Sequence, residues 1–258
     1  MRIAIGCDLA QTMPTAEGGA PPVDQELNVH YGQNAGEILL HLPLSDPSHM
    51  TIVADNIVQT VASLGGGSYP DATGSQITWT GSETLFKTGT ADNEKLLLST
   101  ALDLDGGHIL IPLKIYTAAS GTARFFGEDD RASNGATGAV LIHISETEKS
   151  IRFLKGGVLV HASGSFTVAD NAWAMLEIRV QGGQCSIWHN GGMVDLAPWS
   201  PGGYLIDCIG HARQENGKSW QGSIGDVVFI PVSDDHNHVS PEPAALAARS
   251  YLMSLYAL

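Results

Sequence analysis

Two aspartates near the middle of the chain have the spacing of calcium ligands. Asp103 and Asp105 precede Gly106-Gly107, as at the start of a calcium-binding loop, where oxygen ligands alternate along the chain. The closing bidentate glutamate of an EF-hand would stand at position 114, which is Lys114, so an EF-hand is excluded. A turn between strands is therefore the favoured interpretation. No cofactor is required by this pattern, and calcium is the ion that it would accept.

A second candidate metal site lies in the segment before the final helix. His236 and His238 stand in the run Asp-Asp-His-Asn-His, and imidazole is a good metal ligand. One short polar cluster rarely completes a coordination sphere, so a solvated loop is the favoured interpretation.

Nucleophilic chemistry has little support in the sequence. Cys185 and His189 share one face of a predicted strand, but strand rise separates them by about 13 Å, too far for activation. No Gly-x-Ser-x-Gly elbow occurs. The three cysteines, Cys7, Cys185 and Cys208, match no zinc spacing. A disulfide between Cys185 and Cys208 is geometrically possible, because both lie in predicted strands, but free buried thiols are favoured.

Glycan binding needs aromatic faces beside planar polar side chains on loops. Two loops that flank a predicted strand at 205–210 have this composition. The candidate ligand-binding residues are Asp195, Trp199, Tyr204, Arg213, Gln214, Asn216 and Trp220. The competing interpretation is that these aromatic rings pack on the end of the core, and it carries at least equal weight.

Most of the chain beyond residue 50 predicts β-strands that could position these loops. Leu176, Ile178 and Val180 share one face of a predicted strand, while Glu177 and Arg179 share the other face. Gly182-Gly183 and Asn190-Gly191 predict tight hairpins because such turns need positive φ. The predicted strands are 76–80, 96–100, 108–116, 122–126, 139–145, 151–154, 158–162, 174–181, 184–189, 205–211 and 223–231.

The two ends of the chain differ from this pattern. Residues 1–48 predict an N-terminal arm that either docks on a partner or neighbouring subunit or packs along the main domain, residues 49–258. At the other end, Ser240 as N-cap and Pro241 at the first helical position predict one short C-terminal helix. Its apolar face would carry Ala245, Ala248, Leu252 and Leu255.

The C-terminal third carries an ordered set of motifs. It begins with Trp173-x-x-Leu-Glu-Ile-Arg-Val-x-Gly-Gly, continues through Trp-x-Asn-Gly and Ile209-Gly210, and closes with Gly-x-Ile-Gly-Asp-Val-Val-Phe-Ile and a Ser-Pro helix. This set resembles the laminin-G-like branch of the concanavalin A-like lectin/glucanase superfamily, best over 173–258 and loosely over 70–172. The resemblance implies an all-β, two-sheet antiparallel jelly-roll sandwich. It indicates function only weakly, because this fold serves lectins, glycanases and structural domains.

Glycanases of this superfamily carry paired carboxylates as Glu-x-Asp-x-x-Glu on one strand, so that one carboxylate attacks while the other protonates the leaving group. No acidic cluster of this chain fits that pattern. Glu177 lies on a predicted strand, but its neighbour on the same face is Arg179. Asp226, at a bend flanked by Gly225, is instead predicted to accept hydrogen bonds from loop amides.

Composition excludes several partners. The chain has 258 residues and a net charge of −14, and it lacks a basic patch, so nucleic acid is an unexpected partner. No run approaches the about 20 apolar residues of a membrane span, and no signal peptide is recognisable, which predicts a soluble protein.

These observations favour a non-enzymatic, lectin-like module that recognises a polysaccharide, another glycan or a surface, as a displayed component of a phage or virion. The alternative is a purely structural virion or assembly protein whose residues 1–48 dock it on a neighbour. The expected location is the virion surface, otherwise the cytoplasm. An atypical glycan hydrolase or lyase is the third hypothesis.

Overall fold

The computed structural model describes residues 25–64, 71–86, 94–115, 123–127, 140–144, 151–155, 158–162, 169, 171–200, 202–210 and 220–258. These residues form the helices α1 (Gln25–Tyr31) and α2 (Pro243–Leu255), and 3-10 turns at Gly32–Glu37, Pro47–His49 and Ala54–Asn56. The strands are β1 (Leu40–Leu42), β2 (Met50–Ile52), β3 (Val58–Val61), β4 (Ala72–Ser75), β5 (Thr78–Trp79), β6 (Thr84–Phe86), β7 (Lys95–Asp103), β8 (Gly107–Ile115), β9 (Ala123–Gly127), β10 (Val140–Ile144), β11 (Ile151–Lys155), β12 (Val158–Ala162), β13 (Trp173–Gln181), β14 (Gln184–His189), β15 (Gly192–Pro198), β16 (Leu205–Ile209), β17 (Gly222–Ile224) and β18 (Val227–Pro231).

The strands form two antiparallel sheets that pack face to face. Sheet A has the order β15-β14-β13-β8-β17-β6-β5, with β18 beside β8 and β1 beside β18. Sheet B has the order β12-β11-β10-β9-β16-β7-β4-β3-β2. The predicted all-β, two-sheet antiparallel sandwich with a short C-terminal helix is confirmed.

The alternation along β13 shows how the sequence builds this sandwich. Leu176, Ile178 and Val180 point into the core between the sheets. Met175, Glu177 and Arg179 point to the opposite face of sheet A, yet they are buried as well. The outer face of sheet A is therefore also covered by protein, and the charged residues on that face need hydrogen-bonding partners.

Helices α1 and α2 cover the outer face of sheet A. Leu27 and Tyr31, one helical turn apart on α1, join Ala245, Ala248 and Leu252 of α2 in an apolar cluster on sheet A. Burying a leucine of this kind contributes about 2 kcal/mol. Leu255, predicted for the buried face of α2, is instead 43% exposed, because the helix ends there beside open solvent.

Helix α2 begins two residues later than the sequence predicted. Its N-cap is Glu242, and Pro243 occupies the first turn. The residue before a proline avoids the helical region, and Glu242 accordingly has φ −53° and ψ 144°. Ser240 belongs to the preceding turn, where its amide donates to Oδ1 of Asn237. The prediction of Ser240 as N-cap and Pro241 at the first position was wrong for this reason.

The described part of the predicted arm, residues 25–48, is built into the sandwich. Strand β1 pairs with β18 in sheet A, Leu40 opposite Phe229. Leu40, Leu42 and Leu44 are fully buried in the core between the sheets. Apolar side chains of this size gain stability when they are buried in the core, so this segment packs as part of the sandwich. Residues 1–24 lie outside the described part.

The predicted hairpins are confirmed. Gly182 and Gly183, with φ +57° and +73°, join β13 to β14, and Asn190 and Gly191 join β14 to β15. In the described ranges, neither helix has the length and apolar character that a membrane crossing demands.

Candidate functional site

A cleft of about 540 Å³ opens where α1 and α2 meet the segment that joins β1 to β2. Helix α1 contributes Glu26, Val29 and His30, and α2 contributes Tyr251 and Leu255. The remaining lining residues are Pro43, Ser45, Asp46, His49, Leu64 and Asp226. We refer to this space as the helix cleft.

The floor of the helix cleft exists because sheet A is interrupted at one point. The predicted strand over 223–231 is divided into β17 and β18 by Gly225 and Asp226, opposite Pro112 of β8. Pro112 has no amide hydrogen, and its carbonyl accepts a hydrogen bond from the amide of Gly225 at 2.8 Å. The interruption turns Asp226 towards the helices.

Asp226 is fully buried and accepts hydrogen bonds from three directions. Its Oδ1 accepts from the amide of Ser45 at 2.8 Å and from the hydroxyl of Tyr256 at 3.0 Å. Its Oδ2 lies 3.2 Å from Nε2 of His41. The amide of Ser45 confirms the prediction that Asp226 accepts from a loop amide. The carboxylate thereby ties the β1–β2 segment and the end of α2 to sheet A.

The hydrogen bonds continue from Asp226 towards α1. Nε2 of His41 donates to the carboxylate, which can only accept, and Nδ1 of His41 lies 3.0 Å from the hydroxyl of Tyr31. His41 is fully buried and Tyr31 nearly so. Burial, and after it the charge of Asp226, raises the pKa of Tyr31, which therefore remains a neutral donor.

One wall of the helix cleft is aromatic. The rings of His30 and Tyr251 lie 4.3 Å apart between centroids and are tilted by 41°. Burial is the main cause that lowers the pKa of His30, followed by the neighbouring His41, so this imidazole is neutral at pH 7. Burial also raises the pKa of Tyr251, with the charge of Asp226 as the next cause. Both rings are half-exposed, so they can contact a ligand.

The mouth of the helix cleft carries acidic side chains and an apolar rim. Oε2 of Glu26 lies 2.9 Å from Nε2 of His49, which links α1 to the 3-10 turn at Pro47–His49. Asp46 caps that turn by accepting from the amide of Ser48, and hydrogen bonds from Ser48 lower the pKa of Asp46. Val29 is 80% exposed beside this mouth.

The acidic residue that drew attention in the sequence, Glu177, lies away from the helix cleft beneath α2. Arg249 of α2 donates to both of its carboxylate oxygens, at 2.7 and 2.8 Å, and Nε2 of His108 lies 3.2 Å away. Burial opposes ionisation most strongly, but the hydrogen bonds from His108 and Arg249 together outweigh it and lower the pKa of Glu177. Glu177 thus anchors the helix.

A second ion pair anchors the start of α2. Arg179 donates to the N-cap residue Glu242 in a buried pair, and its other nitrogen donates to Oε1 of Gln181 at 2.7 Å. Burial opposes the ionisation of Glu242, and hydrogen bonds led by that from Arg179 lower its pKa overall. The same-face pair Glu177 and Arg179 therefore serves to attach α2 rather than to bind a ligand.

His238, predicted as a weak metal ligand, is committed to the fold. Its Nε2 donates to the carbonyl of Gln181 at 3.2 Å, so Nδ1 accepts from the hydroxyl of Ser186 at 2.6 Å. Both ring nitrogens are used, which corrects that prediction. Ser186 is fully buried, so this serine–histidine pair has no access to a substrate. His236 lies in the turn before α2, half-exposed.

The aspartates predicted as calcium ligands organise a loop. Oδ1 of Asp105 accepts from the indole of Trp199 at 2.6 Å, and Oδ2 accepts from the amides of Gly202 and Gly203 at 2.7 and 3.0 Å. Oδ1 of Asp103 accepts from the amide of Asp105. These contacts correspond to the predicted turn. No group of three or more metal-binding side chains is found among the described residues.

The aromatic residues predicted to stack on sugars are in the core. Trp199, Tyr204 and Trp220 are 5%, 1% and 0% exposed. Their rings fill the ends of the space between the sheets, where aromatic side chains contribute most by burial, so their prediction as ligand contacts was wrong. Asp195 is half-exposed on β15. Arg213, Gln214 and Asn216 lie outside the described residues.

The two described cysteines, Cys185 and Cys208, are buried and form no disulfide with each other. Cys185 lies in sheet A and Cys208 in sheet B. Burial raises the pKa of Cys185, which makes it a poor nucleophile.

Sequence reasoning did not identify the helix cleft as a site. Its residues belong to five separate segments, 26–30, 43–49, 64, 226 and 251–255, which only the folded chain brings together, and those from Glu26 to Asp46 lay in the presumed arm, residues 1–48. The available signal was the pair Leu27 and Tyr31, spaced four residues apart, which is typical of a helix with one buried face.

Comparisons with known proteins bear on the fold. No protein-family model and no curated protein matches the sequence. Among solved structures, a Trypanosoma rangeli sialidase in complex with sialic acid is 12% identical with a TM-score of 0.56, and the match covers 95% of this chain. A mutant of the same sialidase that displays trans-sialidase activity is 9% identical with a TM-score of 0.58 over 89% of this chain. This chain spans 36% and 37% of the length of those sialidase chains. At these identities, the comparison shows that the chain shares the fold of part of the sialidase molecule.

Proposed function

We propose that this chain is a laminin-G-like jelly-roll domain that recognises a glycan without cleaving it, and that the helix cleft is its binding site. The observation that carries the proposal is the composition of this concave surface. A half-exposed tyrosine ring, Tyr251, stands beside carboxylates and imidazoles at the mouth. A sugar ring has an apolar C–H face and a polar hydroxyl edge. The tyrosine ring suits the face, and the carboxylates and imidazoles suit the hydroxyl groups.

The environment of the acidic residues supports binding over catalysis. Asp226 is buried beneath the floor and engaged by Ser45, Tyr256 and His41, an arrangement that suits a structural role. Glu177 is held by Arg249 and lies outside the lining of the helix cleft. Asp226 and Glu177 are therefore not placed to act as the paired carboxylates that glycoside hydrolysis requires.

The test compares ligand binding by the full chain and by Tyr251→Ala on a glycan array and then by calorimetry. Loss of ring stacking should weaken binding about tenfold, equivalent to about 1.4 kcal/mol. Tyr251→Phe, which keeps the ring, should retain most of the affinity. Met193→Ala, an exposed position on β15, is the control.

Circular dichroism of each variant separates loss of binding from loss of fold, since Tyr251 also packs on His30. Binding that is equal in Tyr251→Ala and wild type would place the ligand elsewhere. Release of reducing ends from any bound polysaccharide would favour the hydrolase or lyase hypothesis. If the array gives no ligand at all, the structural or assembly hypothesis gains weight.

A further inference from the structure

We infer that the glycan recognised by the helix cleft carries free amino groups, which are protonated in mildly acidic solution, as in oligomers of glucosamine. This inference rests on the proposed function and adds the chemical class of the ligand. It is carried by the charge of the lining, by the accessible rings and by the form of the mouth.

The lining carries three acidic side chains, two of which lie beside histidines, Glu26 beside His49 and Asp226 beside His41. Glu26 and Asp46 lie at the mouth and Asp226 lies beneath the floor, whereas the described lining residues include no lysine or arginine. His30 adds no positive charge at neutral pH, because burial lowers its pKa. The whole chain carries −14, so the long-range field also attracts cations.

Asp46 is the best-placed partner for an ammonium group. It is exposed at the mouth, and the hydrogen bonds from Ser48 that lower its pKa keep it ionised. The hydrogen bond from the amide of Ser48 holds Oδ1 in a fixed position at 2.9 Å. An ammonium group there forms a charge-assisted hydrogen bond without a need to reorganise the site.

The aromatic wall favours the same ligand. The faces of aromatic rings carry negative potential, so a half-exposed Tyr251 attracts a cation as well as the C–H face of a sugar. Val29 and Leu255, exposed at the mouth, offer further apolar contact to a sugar ring. An amino sugar presents an ammonium group and an apolar ring face within one residue.

The experiment compares glucosamine oligomers with N-acetylglucosamine oligomers of equal length, by calorimetry with the full chain at pH 6.5. Acetylation removes the charge and leaves the ring stereochemistry unchanged. We expect the free-amine oligomer to bind at least tenfold more tightly, with affinity falling as salt rises. A sialic acid-containing oligosaccharide, which is anionic, should bind less well than either.

Two variants locate the effect. Asp46→Asn keeps a hydrogen-bond acceptor and removes the charge, and it should weaken binding of the free-amine oligomer about fivefold, as an exposed ion pair predicts. Its affinity for the acetylated oligomer should fall by less than its affinity for the free-amine oligomer. Asp234→Asn, an exposed aspartate in the turn before α2, is the matched control and should bind both oligomers as wild type does.

The outcomes separate the two proposals. Equal binding of both oligomers with sensitivity to Tyr251→Ala overturns the amino-sugar inference and leaves glycan recognition intact. An unchanged affinity in Asp46→Asn also overturns the inference. Binding of neither oligomer, together with an empty glycan array, overturns both proposals. Tighter binding of a lysine-rich peptide than of the free-amine oligomer overturns the inference in favour of a protein ligand.

Discussion

Replacement of Arg249 by methionine tests how α2 is held on sheet A. The guanidinium donates to both oxygens of Glu177, which is fully buried. Methionine keeps the apolar stem and leaves the carboxylate with the hydrogen bond from His108. Breaking a buried ion pair costs about 3–5 kcal/mol, and the remaining hydrogen bond places the loss near the lower end, about 3 kcal/mol.

Urea and thermal unfolding followed by circular dichroism measure this loss. For a chain of this size, about 3 kcal/mol corresponds to a fall in Tm of about 6–12 °C. Ser254→Ala, at an exposed position on α2, should change Tm by under about 2 °C. A double-mutant cycle with Glu177→Gln isolates the pair, and a coupling energy below about 0.5 kcal/mol would refute the reasoning.

The pH dependence gives a second check on the same pair. The pKa of Glu177 is lowered in the folded protein, so its stabilising contribution is present above the ordinary pKa of about 4.3 and disappears as pH falls through the lower folded value. In Arg249→Met, the hydrogen bonds from Arg249 no longer oppose the effect of burial, so the pKa of Glu177 rises. As pH falls, protonation of Glu177 then removes the buried charge and reduces the destabilisation of the variant. The loss of stability should therefore be smaller at pH 4.5 than at pH 7.5. An equal loss at both values would contradict the mechanism.

Three further results are expected. In Gly225→Ala the new Cβ would lie 2.8 Å from Cε1 of Tyr256 and nearer still to Cζ and the hydroxyl oxygen, so the tyrosine side chain must move. Urea titration should show that the free energy of unfolding falls by about 2–3 kcal/mol. An unchanged unfolding midpoint would contradict the packing. Asp105→Asn should cost about 1–2 kcal/mol and alter tryptophan fluorescence, because an amide replaces an acceptor that binds three donors. Cys185 should resist alkylation at pH 8 until the protein unfolds, as mass spectrometry of labelled peptides would show; rapid native labelling would contradict its burial.

Local sequence signals predicted the local structure well. The period-two alternation of Leu176, Ile178 and Val180 identified the core face of β13, and Gly182-Gly183 identified its hairpin. Each signal depends on neighbours within a few residues, where steric rules and positive φ requirements act directly.

The sequence did not reveal which polar faces the helices would cover. Arg179 and Glu177 look like a solvated strand face, and their partners Glu242 and Arg249 stand more than 60 residues away. The sequence around Trp199 and Tyr204 does not distinguish a surface loop from the end of the core, because aromatic side chains occur in both places. The helix cleft is lined by five segments that are distant in the sequence, so no single window of the sequence contains it.

The pairing of β1 with β18 also bears on how fast the chain can fold. Leu40 and Phe229 are partners although about 190 residues separate them, and β17 pairs with β6 across about 136 residues, so this protein belongs to the slow, high contact-order class. The entropy of closing those loops must be lost before sheet A is complete. Until then, apolar strand edges remain unpaired, and refolding at high protein concentration will compete with aggregation. Refolding yield should therefore rise steeply as the protein is diluted.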